Sequence, residues 1–200
     1  MKWLFFSYSL PTEPSRTRVY VWRQLKKLGA VNYQTVWVIP HSNESVNELN
    51  KLIETIEGYK GEGMLVKGKA LDKNQEERIH KAFIDSRSEE YHEVIEKCED
   101  FFKEIKFEIE RKNFIFAEVE ENEEELEKLK QWLKKVEKRD FVKTPLRKTA
   151  MEKIKECEKV FDDFAKIVFL HAQSKNRYKK ADRKRITRDK KSNKKNDHNP

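Results

Sequence analysis

The spacing of apolar positions changes character twice along this chain, which divides it into three stretches. In the first, Trp3–Ser9 is apolar and aromatic at both parities, the pattern of a central strand covered on both faces. Pro11 and Pro14 stop that strand, Thr12 offers an N-cap, and Pro14 fits a first helical turn. A helix is predicted from there to Leu28, with Gly29 as its left-handed terminator. Ala30–Tyr33 and Thr35–Ile39 read as two short strands broken near Gln34, and Pro40 closes the second. Reading residues 30–39 as one strand instead would give a β-α-β-α-β unit. Ser42 or Asn43 can cap a second helix carrying Val46, Leu49, Leu52, Ile53 and Ile56, which closes near Gly58 and Gly61. Met64–Ala70 is the last strand. The predicted order is β-α-β-β-α-β, a ferredoxin-like unit over residues 1–71 with both helices on one sheet face.

After Leu71 the period lengthens to that of long amphipathic helices. Asn74 to Lys112 carries Ile84, Tyr91, Cys98 and Ile105 at seven-residue spacing, with Val94 and Phe101 between them. Phe114, Ile115 and Phe116 interrupt this helix and turn the chain back. A Glu-rich run, Glu118–Glu127, opens a second helix with the buried stripe Leu126, Leu129, Leu133 and Val136. Pro145 can start a third, carrying Ala150, Ile154, Cys157, Phe161, Phe164 and Val168. Residues 72–173 are therefore expected to form an antiparallel three-helix bundle. From Ser174 apolar residues almost vanish, and 174–200 reads as a disordered basic tail. The fold class is α+β.

Charge sharpens this division. The chain of 200 residues carries a formal net charge of +8. Residues 174–200 hold 12 Lys and Arg against 3 Asp and Glu, whereas the rest holds 32 against 33. The body is thus close to neutral and the tail carries the excess. No apolar run approaches the roughly 20 residues that span a bilayer. The six-residue apolar start, Met1–Phe6, is too short for a secretory signal. The expectation is a cytoplasmic protein with no membrane partner. The two cysteines, Cys98 and Cys157, fall on apolar helix faces and read as small buried hydrophobes.

Candidate chemistry concentrates on the first helix. At about 100° per residue, Arg16, Tyr20, Arg23 and Lys27 fall in one narrow stripe, while Arg18, Val21, Leu25 and Leu28 point toward the sheet. Cations around an aromatic ring near a helix start suit phosphate or another oxyanion, and the bland alternative is an ordinary solvated face. In the tail, Lys179, Lys180, Arg183, Lys184, Arg185, Lys190 and Lys191 would bind polyanions by counterion release, without sequence information. Catalysis finds little support. The five histidines have no helical i,i+4 partner histidine for a metal, and there is neither a glycine-rich phosphate loop nor a nucleophile elbow. His92 and Glu96, one turn apart, read as a surface contact, and the Glu118–Glu127 run as a solvated helix start. No cofactor, metal or catalytic residue is expected.

The run Phe6-Ser7-Tyr8-Ser9-Leu10-Pro11-Thr12-Glu13-Pro14-Ser15-Arg16-Thr17-Arg18-Val19-Tyr20-Val21-Trp22-Arg23, followed by Leu25-Lys26-Lys27-Leu28-Gly29-Ala30-Val31, resembles the opening of the N-terminal domain of ChrB, the chromate-resistance regulator. Val36-Trp37-Val38-Ile39-Pro40, Glu89-Glu90-Tyr91 and Phe114-Ile115-Phe116-Ala117-Glu118 also fit that family, so the likeness spans about residues 3–170. The resemblance implies a role in gene regulation with DNA as partner, in proteins that respond to chromate and carry a second, C-terminal domain. Carried over by position, the matching basic residues are Arg16, Arg18 and Arg23. A more distant likeness runs to phenylacetate-pathway repressors and to small CRISPR-associated nuclease-fold subunits. The nuclease members place a metal-binding Asp at the end of the first strand, where this chain reads Ser7-Tyr8-Ser9.

Taken together, these readings predict a non-enzymatic, DNA-associated regulatory protein. The helix-one residues would contact phosphate, chromate or a sulfate-like oxyanion would be the effector, and the body would support dimerisation. The alternative is a non-catalytic protein-interaction or oligomerisation module with a generic polyanion-binding tail. A residual oxyanion-handling enzyme or nuclease is the third reading.

Overall fold

The structure, a computed structural model, describes residues 1–196, with side chains described through Lys175. It is a mixed α+β protein with one small antiparallel sheet and predominantly helical structure. The elements run β1 (Trp3–Ser9), α1 (Ser15–Leu28), β2 (Val31–Tyr33), β3 (Val36–Pro40), α2 (Asn43–Gly58), β4 (Glu62–Gly68), α3 (Lys73–Glu110), α4 (Phe116–Arg139) and α5 (Leu146–Asn196). The two-strand reading of residues 30–39 is the one observed, with Gln34 at φ 58° between the strands.

The sheet order is β2-β3-β1-β4. All three pairings are antiparallel, with Leu4 opposite Ile39 and Lys67, and Phe5 opposite Val38 and Val66. Alternation along β1 sends Leu4 and Phe6 to one face, where they join Trp37 and Ile39 with Val21 and Leu25 of α1 and Leu49, Leu52 and Ile56 of α2. Each such fully buried side chain contributes about 1.5–3 kcal/mol. Trp3 and Val38 point to the opposite face, where Ile79 and Phe83 of α3 cover them. The rings of Trp3 and Phe83 stack at 5.4 Å. The central strand is covered on both sides, as its unbroken apolar run predicts.

Helix boundaries follow local chemistry. Ser42 Oγ accepts the Ser45 N–H at 2.9 Å and caps α2. Gly29, at φ 85°, ends α1 in the left-handed conformation. The predicted Thr12 cap is not used. Pro14 occupies the cap position, where it can make no side-chain hydrogen bond, and its carbonyl accepts the Thr17 N–H at 3.1 Å.

Two compact units partition the chain, and their limits cut through the helices. One comprises Met1–Val94 with Trp132–Ala150, so the sheet shares a unit with the start of α3, the end of α4 and the start of α5. The other comprises Ile95–Gln131 and Met151 onward. Its buried residues come from all three helical segments: Cys98, Phe101 and Ile105, then Leu126 and Leu129, then Ile154, Cys157, Phe164 and Val168. Within it, Asn113 Nδ2 donates to Glu108 Oε2 at 2.6 Å and to Glu118 Oε1 at 2.9 Å, which ties the end of α3 to the start of α4.

One detail of the long helices departs from the periodicity. Ile84 is only half-buried, and Phe83 and Arg87 occupy the buried stripe of α3 instead. The early part of α3 covers a sheet face, a broader target than a seven-residue seam. Along residues 174–196, within the stretch read above as a disordered basic tail, the backbone continues α5 to Asn196. Extending a formed helix costs far less than nucleating one, so a polar segment can prolong a packed helix. Residues 197–200 lie outside the described residues.

Candidate functional site

The predicted stripe on α1 is assembled largely as its spacing requires. Arg16, Tyr20 and Arg23, with Ser15, Val19 and Gln24, line a shallow hollow of about 490 Å³. All three predicted residues are exposed, and neighbouring Val19 and Trp22 are exposed apolar groups. The first turn of α1 contains no acidic residue and no side-chain cap, so its N–H groups and the helix dipole favour an anion there. Guanidinium groups beside such an end can take oxyanions bidentately.

Arg18 and Lys27 sit elsewhere. The buried face of α1 is Thr17, Val21 and Leu25, not Arg18, which is exposed. Its guanidinium turns back and donates through Nη2 to the Thr12 carbonyl at 2.5 Å. The long stem near the helix start lets the charged end escape the sheet. Arg18 also opposes the effect of burial at Tyr8, whose phenol is nonetheless held above its ordinary range.

Lys27, one turn beyond Arg23, faces a second and larger cleft of about 590 Å³. Tyr20 borders both depressions. The other walls of the cleft come from α2, including Lys51, and from the end of α4, with Lys135, Lys138 and Arg139. Lys51 pairs with Glu48 at 2.7 Å; that contact lowers the carboxyl's pKa and raises the ammonium's. Sequence reasoning misses Lys135, Lys138 and Arg139. Their i, i+3, i+4 spacing is legible in the sequence as one basic helix face, but nothing local shows that this face meets α1. Close approach is permitted at Gly29, where an added Cβ would lie 3.0 Å from both Arg139 Cβ and Phe141 Cε2.

Behind the cleft wall lies a buried polar network that the sequence did not reveal. Arg139 donates to Glu90, and Glu90 also pairs with Nη1 of the fully buried Arg87 at 2.9 Å. That last contact has ion-pair distance without hydrogen-bond geometry, since Arg87 Nη1 and Nε lack hydrogen-bond partners. Burial lowers the Arg87 pKa, and neighbouring Glu90 opposes the shift. Arg139 Nε is likewise buried without a partner.

The remaining candidates are dispersed. Cys98 and Cys157 are both fully buried, and the Cys157 thiol lies 3.9 Å from the Cys98 carbonyl. The neighbouring thiol and burial raise the Cys157 pKa, while the contact from Cys157 lowers that of Cys98. Glu118, Glu120, Glu121, Glu124 and Glu125 of the Glu-rich run line a groove with Asp100 and Glu104, and Lys97 and Lys128 border it too. Among the described residues no group of three or more His, Cys, Asp or Glu side chains is placed to hold a metal. Among the described residues no helix is long and apolar enough to cross a membrane. Lys179, Lys180, Arg183, Lys184, Arg185, Lys190 and Lys191 lie along the α5 backbone, and their side chains fall outside the described residues.

A family model described as "Protein ChrB, N-terminal" matches residues 18–175, well over half of the chain. No curated protein and no solved structure matches it.

Proposed function

The chain belongs to the family of ChrB N-terminal domains, and from that premise we propose that it is a non-enzymatic, cytoplasmic regulatory domain of chromate resistance that associates with DNA. The observation that carries the reading is the clustering of Arg16, Tyr20 and Arg23 around one hollow at an uncapped helix start. This arrangement suits backbone phosphate, with the aromatic ring beside the cations. The tail cations would add affinity without specificity. Chromate or a sulfate-like dianion, competing for the same guanidinium groups, would act as effector. The ferredoxin-like reading of the sheet is supported by the order β2-β3-β1-β4 with two helices on one face.

Fluorescence anisotropy with the DNA upstream of the chain's own gene tests this. Tight binding that falls at least tenfold in Arg16→Ala/Arg23→Ala, with circular dichroism unchanged, is expected. Chromate should release the wild-type complex. Unchanged affinity in the double variant would sink the assignment.

A second reading, a protein-interaction or dimerisation module, is favoured by one observation. Phe107, Ile115, Phe116, Phe169 and Leu170, all in the all-helical unit, are exposed. It requires a stable oligomer in light scattering at about 0.15 M salt that ignores nucleic acid.

A further inference from the structure

The cleft bounded by α1, α2 and the end of α4 has an unusual charge balance for a nearly neutral body. Five cations and two carboxylates line it. Lys51 is neutralised by Glu48, and Arg139 by Glu90 behind the wall. Lys27, Lys135 and Lys138 make no ion pair among the described residues, and Glu44 is the other carboxylate of the lining. Three unpaired ammonium groups contributed by two separate helices repel one another, and an anion between them relieves that repulsion. The N-terminal end of α2, capped at Ser42, opens onto the same space.

Charge is only half of the lining. Leu52 is buried at the floor, and Tyr20, Leu28 and Phe141 present apolar surface. At about 590 Å³ the cleft falls within the range of roughly 300–1,000 Å³ that small organic ligands occupy. A bare tetrahedral oxyanion would leave most of it empty and would not use the aromatic and aliphatic surface. A ligand with a planar apolar body and a phosphate group satisfies both halves: the body against Tyr20 and Phe141, the phosphates among Lys27, Lys135 and Lys138.

We propose that this cleft is a binding site for a small organic phosphate of nucleotide size. The inference goes beyond the regulatory reading and does not depend on it, because Lys135 and Lys138 belong to α4 and play no part in the hollow around Arg16 and Arg23. Tyr20 borders both sites, so an occupied cleft would bear directly on the face assigned to DNA.

Isothermal titration of the full chain with ATP, adenosine and inorganic phosphate tests the proposal. Saturable ATP binding is expected, at least tenfold tighter than phosphate, with no measurable heat from adenosine. Lys135→Ala/Lys138→Ala should weaken ATP at least tenfold, whereas Lys134→Ala, at an exposed neighbour outside the cleft, should not. Equal affinity for ATP and phosphate would overturn the proposal, as would an unaffected double variant or no saturable ATP binding. A duplex-DNA arm separates the sources of phosphate. If Lys135→Ala/Lys138→Ala weakens a 20-base-pair duplex as much as ATP, the cleft is part of a nucleic-acid surface and the small-ligand site is refuted. Retained DNA affinity with abolished ATP binding supports it.

Discussion

Tyr91 in α3 donates its phenolic hydroxyl to Asp140 Oδ2 at 3.1 Å, across a separation of 49 residues. Asp140 follows the last residue of α4 and also accepts the Thr144 N–H at 2.9 Å and the Thr144 hydroxyl at 3.0 Å. One buried carboxylate therefore shapes the connection into α5 and anchors it to α3. Asp140→Ala leaves those three donors unsatisfied. It should cost about 2–4 kcal/mol in urea denaturation, without a change in m-value.

The same hydrogen bond gives an alkaline signature. Burial, followed by the nearby Asp140 charge, raises the Tyr91 pKa above its ordinary 10.0. The folded chain thus keeps this proton to higher pH than the unfolded chain. Stability from this group is complete below the unfolded value and is lost as pH rises past it. Tyr91→Phe should be less stable near pH 7 by about 1 kcal/mol. Its stability should also fall less between about pH 9 and 11 than that of the wild type. Parallel curves for the two proteins would contradict the coupling.

Gly29 permits both the left-handed end of α1 and the approach of Arg139. Gly29→Ala places a Cβ at φ 85° and 3.0 Å from the Arg139 and Phe141 side chains. A loss of about 1–3 kcal/mol is expected, with thermal unfolding as the readout. A neutral outcome would mean that α4 does not press on this turn.

Cys98 and Cys157 have no exposed surface. Thiolate formation at Cys157 is further opposed by burial and by its neighbour. Labelling by a thiol reagent in native buffer should be limited by opening of the helical unit, and denaturant should release both thiols at once. Rapid native labelling would show that this core opens readily.

The polar end of α5 should be separable from the folded body. A chain truncated after Lys175 should match the full chain in stability to within about 0.5 kcal/mol. Its nucleic-acid affinity should depend less steeply on salt, by about 0.9 in log–log slope for each phosphate that the truncated chain no longer neutralises. An unchanged slope would place all phosphate binding within the body.

Local chemistry made much of this protein legible. The apolar run of β1, the Ser42 cap, the Gly29 terminator, the Pro40 stop and the 4-3 spacing of Ala150, Ile154, Cys157, Phe161, Phe164 and Val168, of which Phe161 is only half-buried, each act within a few residues. Helical spacing likewise put Arg16, Tyr20 and Arg23 together, because one helix fixes their relation without outside help.

What required tertiary structure was every relation between elements distant in sequence. Periodicity favours Ile84, but the sheet face met by α3 selects Phe83 for burial, and Arg87 is buried beside Glu90 and the end of α4. Arg18 reads as sheet-facing on helical spacing, whereas its stem turns back to Thr12. The basic face Lys135, Lys138 and Arg139 is visible as a pattern, yet only folding brings it opposite Lys27 of α1. A helix's own geometry dictates which residues share a face. Which face meets which is settled by the packing of the whole unit, because burial energy is collective and belongs to no local segment.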